Sequence, residues 1–249
     1  MGSRRAPARR GSLLTLVVAG LASCERPADL TLRSDRTRCP QDAPTRASVG
    51  PRAFALAVTS RGTYVIAVAG GVDELDPCSL RRRGGCRDSL EARSLRVRGD
   101  DRVVDYLHAD GSLGACDLLA SRAAPPDPSA LPSLTADQRV RSAQARAWVE
   151  AGQAWLEPQG MAPRRLPVPS EALSVALDPR GRWVAVADRA GGVAFFTAPG
   201  GLLAGREVPH TRNAYALAWD PRRERLLSIA GPGTLAVLRP PEGLRSSAW

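Results

Sequence analysis

Ala172-Leu173-Ser174-Val175-Ala176-Leu177-Asp178-Pro179-Arg180-Gly181-Arg182-Trp183-Val184-Ala185-Val186-Ala187 reads as a strand, a tight turn and a second strand. Short apolar or alternating runs suit strands, and Asp-Pro with Gly marks the turn between them. Pro179 already holds the φ near −65° that the second turn position needs. Gly191-Gly192 then turns the chain into a third strand, Val193-Ala194-Phe195-Phe196.

The same order recurs twice. Ala53–Val58 leads through Ser60-Arg61-Gly62 to Tyr64–Ala69 and on to Gly70-Gly71-Val72. Ala214–Trp219 leads through Asp220-Pro221-Arg222-Arg223 to Leu226–Ala230, and Gly231-Pro232-Gly233 turns into Thr234-Leu235-Ala236-Val237. Ala172 and Ala214 are separated by a unit of about 40 residues, and Ala53 lies about three such units before Ala172. Two more divergent units fill the interval. One contains Leu95-Arg96-Val97, Val103–Leu107 and Leu113–Leu118; the other contains Val140, Ala147–Glu150 and Ala154-Trp155-Leu156. The Pro-rich stretch 123–132 reads as a loop between them.

Repeats of this length built from short strands predict an all-β chain, a β-propeller of about five four-stranded blades over residues 51–246. A β-sandwich or an incomplete propeller is the alternative. The repeats resemble the WD40-like and YVTN-type repeats of bacterial propellers, with Asp178-Pro179-Arg180-Gly181-Arg182 nearest the pattern. The Gly-His and Trp-Asp signatures of WD40 repeats are missing, and Trp219-Asp220 precedes its turn instead of ending a strand. The last unit has three strands, so the amino-terminal part is expected to supply the fourth, with Asp29-Leu30-Thr31-Leu32-Arg33 as candidate.

Residues 1–23 carry a different message. Arg4, Arg5, Arg9 and Arg10 form a basic head before the apolar run Leu13–Ala19. That run is far shorter than the ~20 residues that span a bilayer and has the length of a signal-peptide core. Leu21-Ala22-Ser23-Cys24 follows, and the whole segment resembles the bacterial lipoprotein signal with its lipobox. The resemblance implies cleavage before Cys24, lipid on that cysteine and a chain exported and anchored to the cell envelope on its periplasmic side. More than one acyl chain gives the stable anchoring that one alone lacks. Glu25, in place of Asp, leans toward the outer membrane. Residues 24–50 read as the lipidated segment leading into the domain.

The formal charge is +10, all of the basic side chains are Arg, and there is no Lys. Outside the signal head the arginines are scattered, apart from Arg81-Arg82-Arg83. A basic balance can serve nucleic acid or an anionic membrane. An exported lipoprotein rarely meets nucleic acid, so none is expected as a partner. Beyond Cys24 there are Cys39, Cys78, Cys86 and Cys116, an even number in a compartment where disulfides persist. Three pairings are possible, and Cys78–Cys86 with Cys39–Cys116 is favoured. Their spacing is wrong for zinc, and no metal or cofactor is expected.

Catalytic patterns are mostly absent. Gly111-Ser112-Leu113-Gly114 lacks the spacing of a nucleophile elbow. Gly231-Pro232-Gly233-Thr234-Leu235-Ala236 has the letters of a dinucleotide fingerprint without room for the helix it requires, so it reads as a hairpin turn. His108 and His210 read as surface or strand-end residues. Asp73, Glu74, Asp76, Asp100 and Asp101 read as solvated turn residues, and Trp148 with Trp155 as packing between blades. The Arg81-Arg82-Arg83 run is the candidate surface for an acidic partner or lipid headgroups. The expected function is a lipid-anchored scaffold that holds an envelope protein on a propeller face. The alternatives are an enzyme like the lactonase or dehydrogenase YVTN propellers, and a passive structural lipoprotein.

Overall fold

A computed structural model describes residues 39–241, apart from 51, 132–139 and 232. Cys24 and Asp29–Arg33 lie outside the described residues. The fold is all-β, with four antiparallel sheets. In chain order the strands are β1 (Arg46–Ser48), β2 (Ala53–Val58), β3 (Tyr64–Leu75), β4 (Arg82–Val97), β5 (Val103–His108), β6 (Leu113–Asp117), β7 (Arg122–Ala123), β8 (Val140–Arg141), β9 (Ala145–Glu150), β10 (Gln153–Pro158), β11 (Arg164–Leu166), β12 (Ala172–Leu177), β13 (Trp183–Asp188), β14 (Val193–Thr197), β15 (Leu203–Glu207), β16 (Ala214–Asp220), β17 (Arg225–Ala230) and β18 (Thr234–Leu238). The three clear sequence repeats open on β2, β12 and β16.

Two of the sheets, β8–β11 and β12–β15, are four-stranded meanders. A third runs β1-β18-β17-β16, so an amino-terminal strand supplies the fourth place beside the last repeat. That place belongs to Arg46–Ser48, which pair with Thr234–Ala236. The docking depends on a close backbone approach. Val49 N donates to Gly233 O at 2.7 Å, and a Cβ at Gly233, where φ is +78°, would overlap the Gly50 carbonyl oxygen.

The first two sequence units share the remaining sheet, β2 to β7. They merge because β4 is one continuous strand of 16 residues. Its first part, Arg82–Glu91, pairs with β3, and its second, Ala92–Val97, pairs with β5. No turn residue interrupts Ser89-Leu90-Glu91-Ala92-Arg93, so nothing stops the strand where one unit ends and the next begins.

Alternation along the middle strands explains how the sheets pack. In β3, Tyr64, Ile66 and Val68 enter a core shared with β16, β17 and β18, while Val65 and Ala67 enter one shared with β4, β5 and β6. In β13, Val184 and Val186 face the β8–β11 sheet, while Trp183, Ala185 and Ala187 face β16–β18. A strand packed on both faces is apolar throughout instead of alternating with polar residues. This is why β13 and β17 are buried at every position.

Two disulfides are present, and all four expected cysteines are in them, but the pairing differs from the favoured one. The bridges are Cys39–Cys78 and Cys86–Cys116. Residues 76–81 form the turn of the β3–β4 hairpin, with Leu80 N donating to Asp76 O and Asp76 N to Arg81 O. Cys78 therefore sits at the hairpin tip, whereas Cys86 pairs opposite Val72 well down the ladder. At about 3.3 Å per strand residue, the two exceed the roughly 7 Å Cα separation a disulfide can bridge. Cys86 instead points into the core beneath β6 and meets Cys116 there.

Candidate functional site

Many of the arginines are engaged in holding the fold together. Asp178 caps its turn by accepting from Arg180 N and takes Arg182 Nε at 2.9 Å. Asp220 accepts from Arg222 N and Arg223 N, and its other oxygen faces Tyr64 Oη at 2.8 Å and the side chains of Arg223 and Arg225. Arg98 grips Asp105, Arg102 grips Asp117 and Arg206 grips Asp188. In the last three pairs a buried carboxylate is neutralised by a partly exposed arginine. The planar guanidinium suits such pairs because it donates from several nitrogens at once. Hydrogen bonds from Arg102 and from Ala120 N hold the Asp117 carboxyl below the usual carboxylate range.

The β3–β4 hairpin differs. Of the expected candidate residues, Arg81 ends its turn and Arg82 and Arg83 open β4, all three exposed. Arg81 and Arg82 line a cavity of about 520 Å³ together with Arg87 from further along β4. Arg83 is not among the residues lining it. The base is apolar: Ala47 and Val49 from the β1 segment, Val68 and Leu75 from β3, and Leu80 from the turn. Among the described residues Asp73 is the only acidic one lining it, and it accepts from Arg82 Nε at 2.7 Å and lies 3.4 Å from Arg87. The cavity thus has three guanidinium groups against one carboxylate above an apolar base. Sequence reading found the run Arg81–Arg83 but missed Arg87 and the cavity. Both depend on the β3–β4 register, which places Arg87 opposite Gly71 and near Asp73.

Several expected solvated carboxylates have defined jobs. Asp76 caps the hairpin turn by accepting from Cys78 N and Ser79 N, and these bonds outweigh the opposing effect of burial to lower its pKa. Asp100 caps its turn at Arg102 N. Asp101 is buried and accepts from Ser60. Glu74 is half-buried on β3, paired across the hairpin with Gly84. β17 turns directly back into β18, as expected, with Gly233 N donating to Ala230 O.

Both histidines are buried: His108 stands at a strand end, one of the two positions expected, and neither is at the surface. His210, in the loop before β16, places Nδ1 3.0 Å from Thr234 Oγ1 and Nε2 3.0 Å from Ser228 Oγ. Burial, reinforced by the charge of Arg46, lowers its pKa to about 4. The sequence did hold a signal for this: Ser228 interrupts the apolar run of β17, and a buried hydroxyl requires a partner. His108 ends β5 with Nε2 3.3 Å from Asp88 Oδ2, which also accepts from Tyr106 Oη at 3.2 Å. Burial and the Asp88 charge push the Tyr106 hydroxyl up to about 12. Trp148 and Trp155 pair across β9 and β10 with ring centroids 6.4 Å apart. They lie on the face opposite Ala147, Ala154 and Leu156, which form the core with β12–β14.

No family model matches the chain, and no curated protein matches its sequence.

Proposed function

We propose that this protein is a lipid-anchored scaffold of the bacterial cell envelope that holds an acidic protein partner at the β3–β4 hairpin. In this reading Cys24 carries the lipid, and the sheets are the blades of a five-bladed propeller in which β4 belongs to two adjacent blades. Support for that arrangement comes from the repeat length, from β1 completing the sheet of the last repeat, and from middle strands that serve two cores. The paired cysteines suit an oxidising compartment such as the one reached by export.

The observation that carries the binding role is the set Arg81, Arg82 and Arg87 around an apolar-based cavity with one carboxylate. Most other arginines near buried acids are already neutralised pairwise, whereas here positive charge is in excess. Rigid scaffolds that present loops and hairpins suit recognition, and guanidinium groups bind carboxylates through paired hydrogen bonds.

The test is a pull-down of the tagged full-length protein from detergent-solubilised membranes, beside Cys24→Ala and Arg81→Glu variants. A stoichiometric envelope protein is expected with the parent chain, reduced with Cys24→Ala and lost with Arg81→Glu. A partner retained equally by all three would remove both the anchoring and the hairpin from this reading.

A further inference from the structure

The partner-binding reading leaves open how a protein would engage the hairpin, and the edge of β1 supplies an answer that rests on that reading. Among the described residues β1 is the outermost strand of its sheet. Val237 N donates to Thr45 O, Val49 N donates to Gly233 O, and Ala47 lies opposite Leu235 between them. In an antiparallel ladder, residues alternate between those bonding to the partner strand and those whose N–H and C=O face away. Thr45, Ala47 and Val49 bond inward to β18, so the backbone groups of Arg46 and Ser48 face the open edge. Unpaired backbone groups on a sheet edge can template another strand, and the exposed charge of Arg46 on β1 disfavours a basic strand there and favours an acidic one.

The cavity lies beside this edge. Ala47, Ser48 and Val49 of the β1 segment line it together with Leu75, Leu80, Arg81, Arg82 and Arg87 of the hairpin. A strand added next to β1 would place the residue opposite Ala47 on the same face as Ala47, toward the arginines. Its neighbours two positions away would meet the apolar base around Val49, Val68 and Leu80. At about 520 Å³ the cavity falls in the range that holds a small ligand or a short run of side chains.

We infer that β1 accepts an extended segment of the partner as an additional strand, with an acidic side chain held by Arg81, Arg82 and Arg87 and flanking aliphatic side chains seated on Val49, Val68 and Leu80. Main-chain bonds to Arg46 and Ser48 supply affinity, and the alternating acid and aliphatic residues supply selectivity, as in other strand-addition interfaces. The charge of the cavity chooses an acidic segment over a neutral one. The Asp73 bonds hold Arg82 and Arg87 in place before the ligand arrives.

The test uses the full-length Cys24→Ala protein and a peptide labelled through its amino terminus, fluoresceinyl-Gly-Val-Thr-Glu-Thr-Val-amide, followed by fluorescence anisotropy. Saturable binding is expected. Replacing the peptide's Glu by Gln, or Arg81 of the protein by Glu, should weaken it at least about tenfold, the scale of a charge-assisted contact. N-methylation should abolish binding only at alternate peptide residues, because only alternate amides of an added strand face β1. Loss that follows the charge but is equal at every methylated position would overturn strand addition and leave the arginine site standing. No saturable binding, with an envelope protein still captured through Arg81, would also overturn strand addition and leave the scaffold role intact. A gain in affinity on deleting residues 25–35 would show that the chain's own amino-terminal segment occupies the edge, and would overturn the assignment to a partner.

Discussion

His210 shows how much a single buried side chain can impose on the molecule. Its ring is enclosed by Ser228 and Thr234, and both ring nitrogens have hydroxyl partners within 3.0 Å. Hydroxyls can donate or accept, so the neutral ring is satisfied in either tautomer. Protonation would place a cation in a buried site near Arg46, and the pKa accordingly falls to about 4 from the ordinary 6.5. The unfolded chain takes up a proton as the pH falls through 6.5, while the folded chain resists until about 4. Between those values the unfolded state binds more protons, so stability declines as the solution is acidified. The shift corresponds to about 3 kcal/mol lost across that window. Urea titrations at pH 7 and pH 4 should show a smaller loss for His210→Gln than for the parent, by about that amount. An equal loss in both chains would mean that the ring is solvated. Asp220 makes a related point. It draws Tyr64, Arg223 and Arg225 together from β3 and β17 and the turn before it. Its position in Asp220-Pro221 was legible as a turn signal, but its buried partners were not, because Tyr64 is far away along the chain.

At the scale of elements, local chemistry predicted the strands well and their connections less well. β2, β12 and β17 fall where alternation and turn residues place them, because a Gly or Asp-Pro pair must end one strand before the next begins. Only Leu95-Arg96-Val97 of β4 reads as a strand from the sequence, because the repeat length starts a new unit near there, and Arg82–Ser94 is missed. The sequence there contains no residue that breaks a strand, and the hydrogen-bond ladder simply continues with a new partner. The cysteines teach the same lesson. Nearness in sequence favoured Cys78–Cys86, yet the hairpin turn places one at the tip and the other in the core. Peptide mapping without reduction should recover Cys39 linked to Cys78 and Cys86 linked to Cys116. Recovering Cys78 joined to Cys86 would contradict the hairpin register itself. Replacing Cys86 and Cys116 together by Ser should lower stability by about 2–4 kcal/mol, the usual worth of a bridge closing a loop of this size. The arginine site was legible only as a charge run. Its cavity needs β1 from one part of the chain and the β3–β4 hairpin from another, and no local pattern reports that meeting.

Over the whole molecule, the middle strands determine whether the sheets unfold together or separately. β13 contributes alternate side chains to the core with β8–β11 and to the core with β16–β18, and β17 and β3 repeat the device in their own sheets. A sheet wedged between two neighbours cannot open without exposing both interfaces, so the packing argues for one cooperative transition. Phe195 is the sharpest probe. It is fully buried on β14, shares a core with Trp183, Leu226 and Leu238, and meets Trp219 edge to face at 6.4 Å. Phe195→Ala removes the ring from this interface and should cost about 3–5 kcal/mol. For a chain of this size each kcal/mol lowers the midpoint by roughly 2–4 °C, so a fall of about 6–20 °C is expected. Far-ultraviolet circular dichroism, which follows every sheet, and tryptophan fluorescence should shift together. Trp219 reports the interface next to Phe195, while Trp148 and Trp155 report the β8–β11 sheet on the other side of β12–β15. Coincident shifts would show that damage at one interface is felt in sheets that do not touch Phe195. A split transition, with β8–β11 melting at its original temperature, would show that the sheets are independent units and that β13 does not couple them.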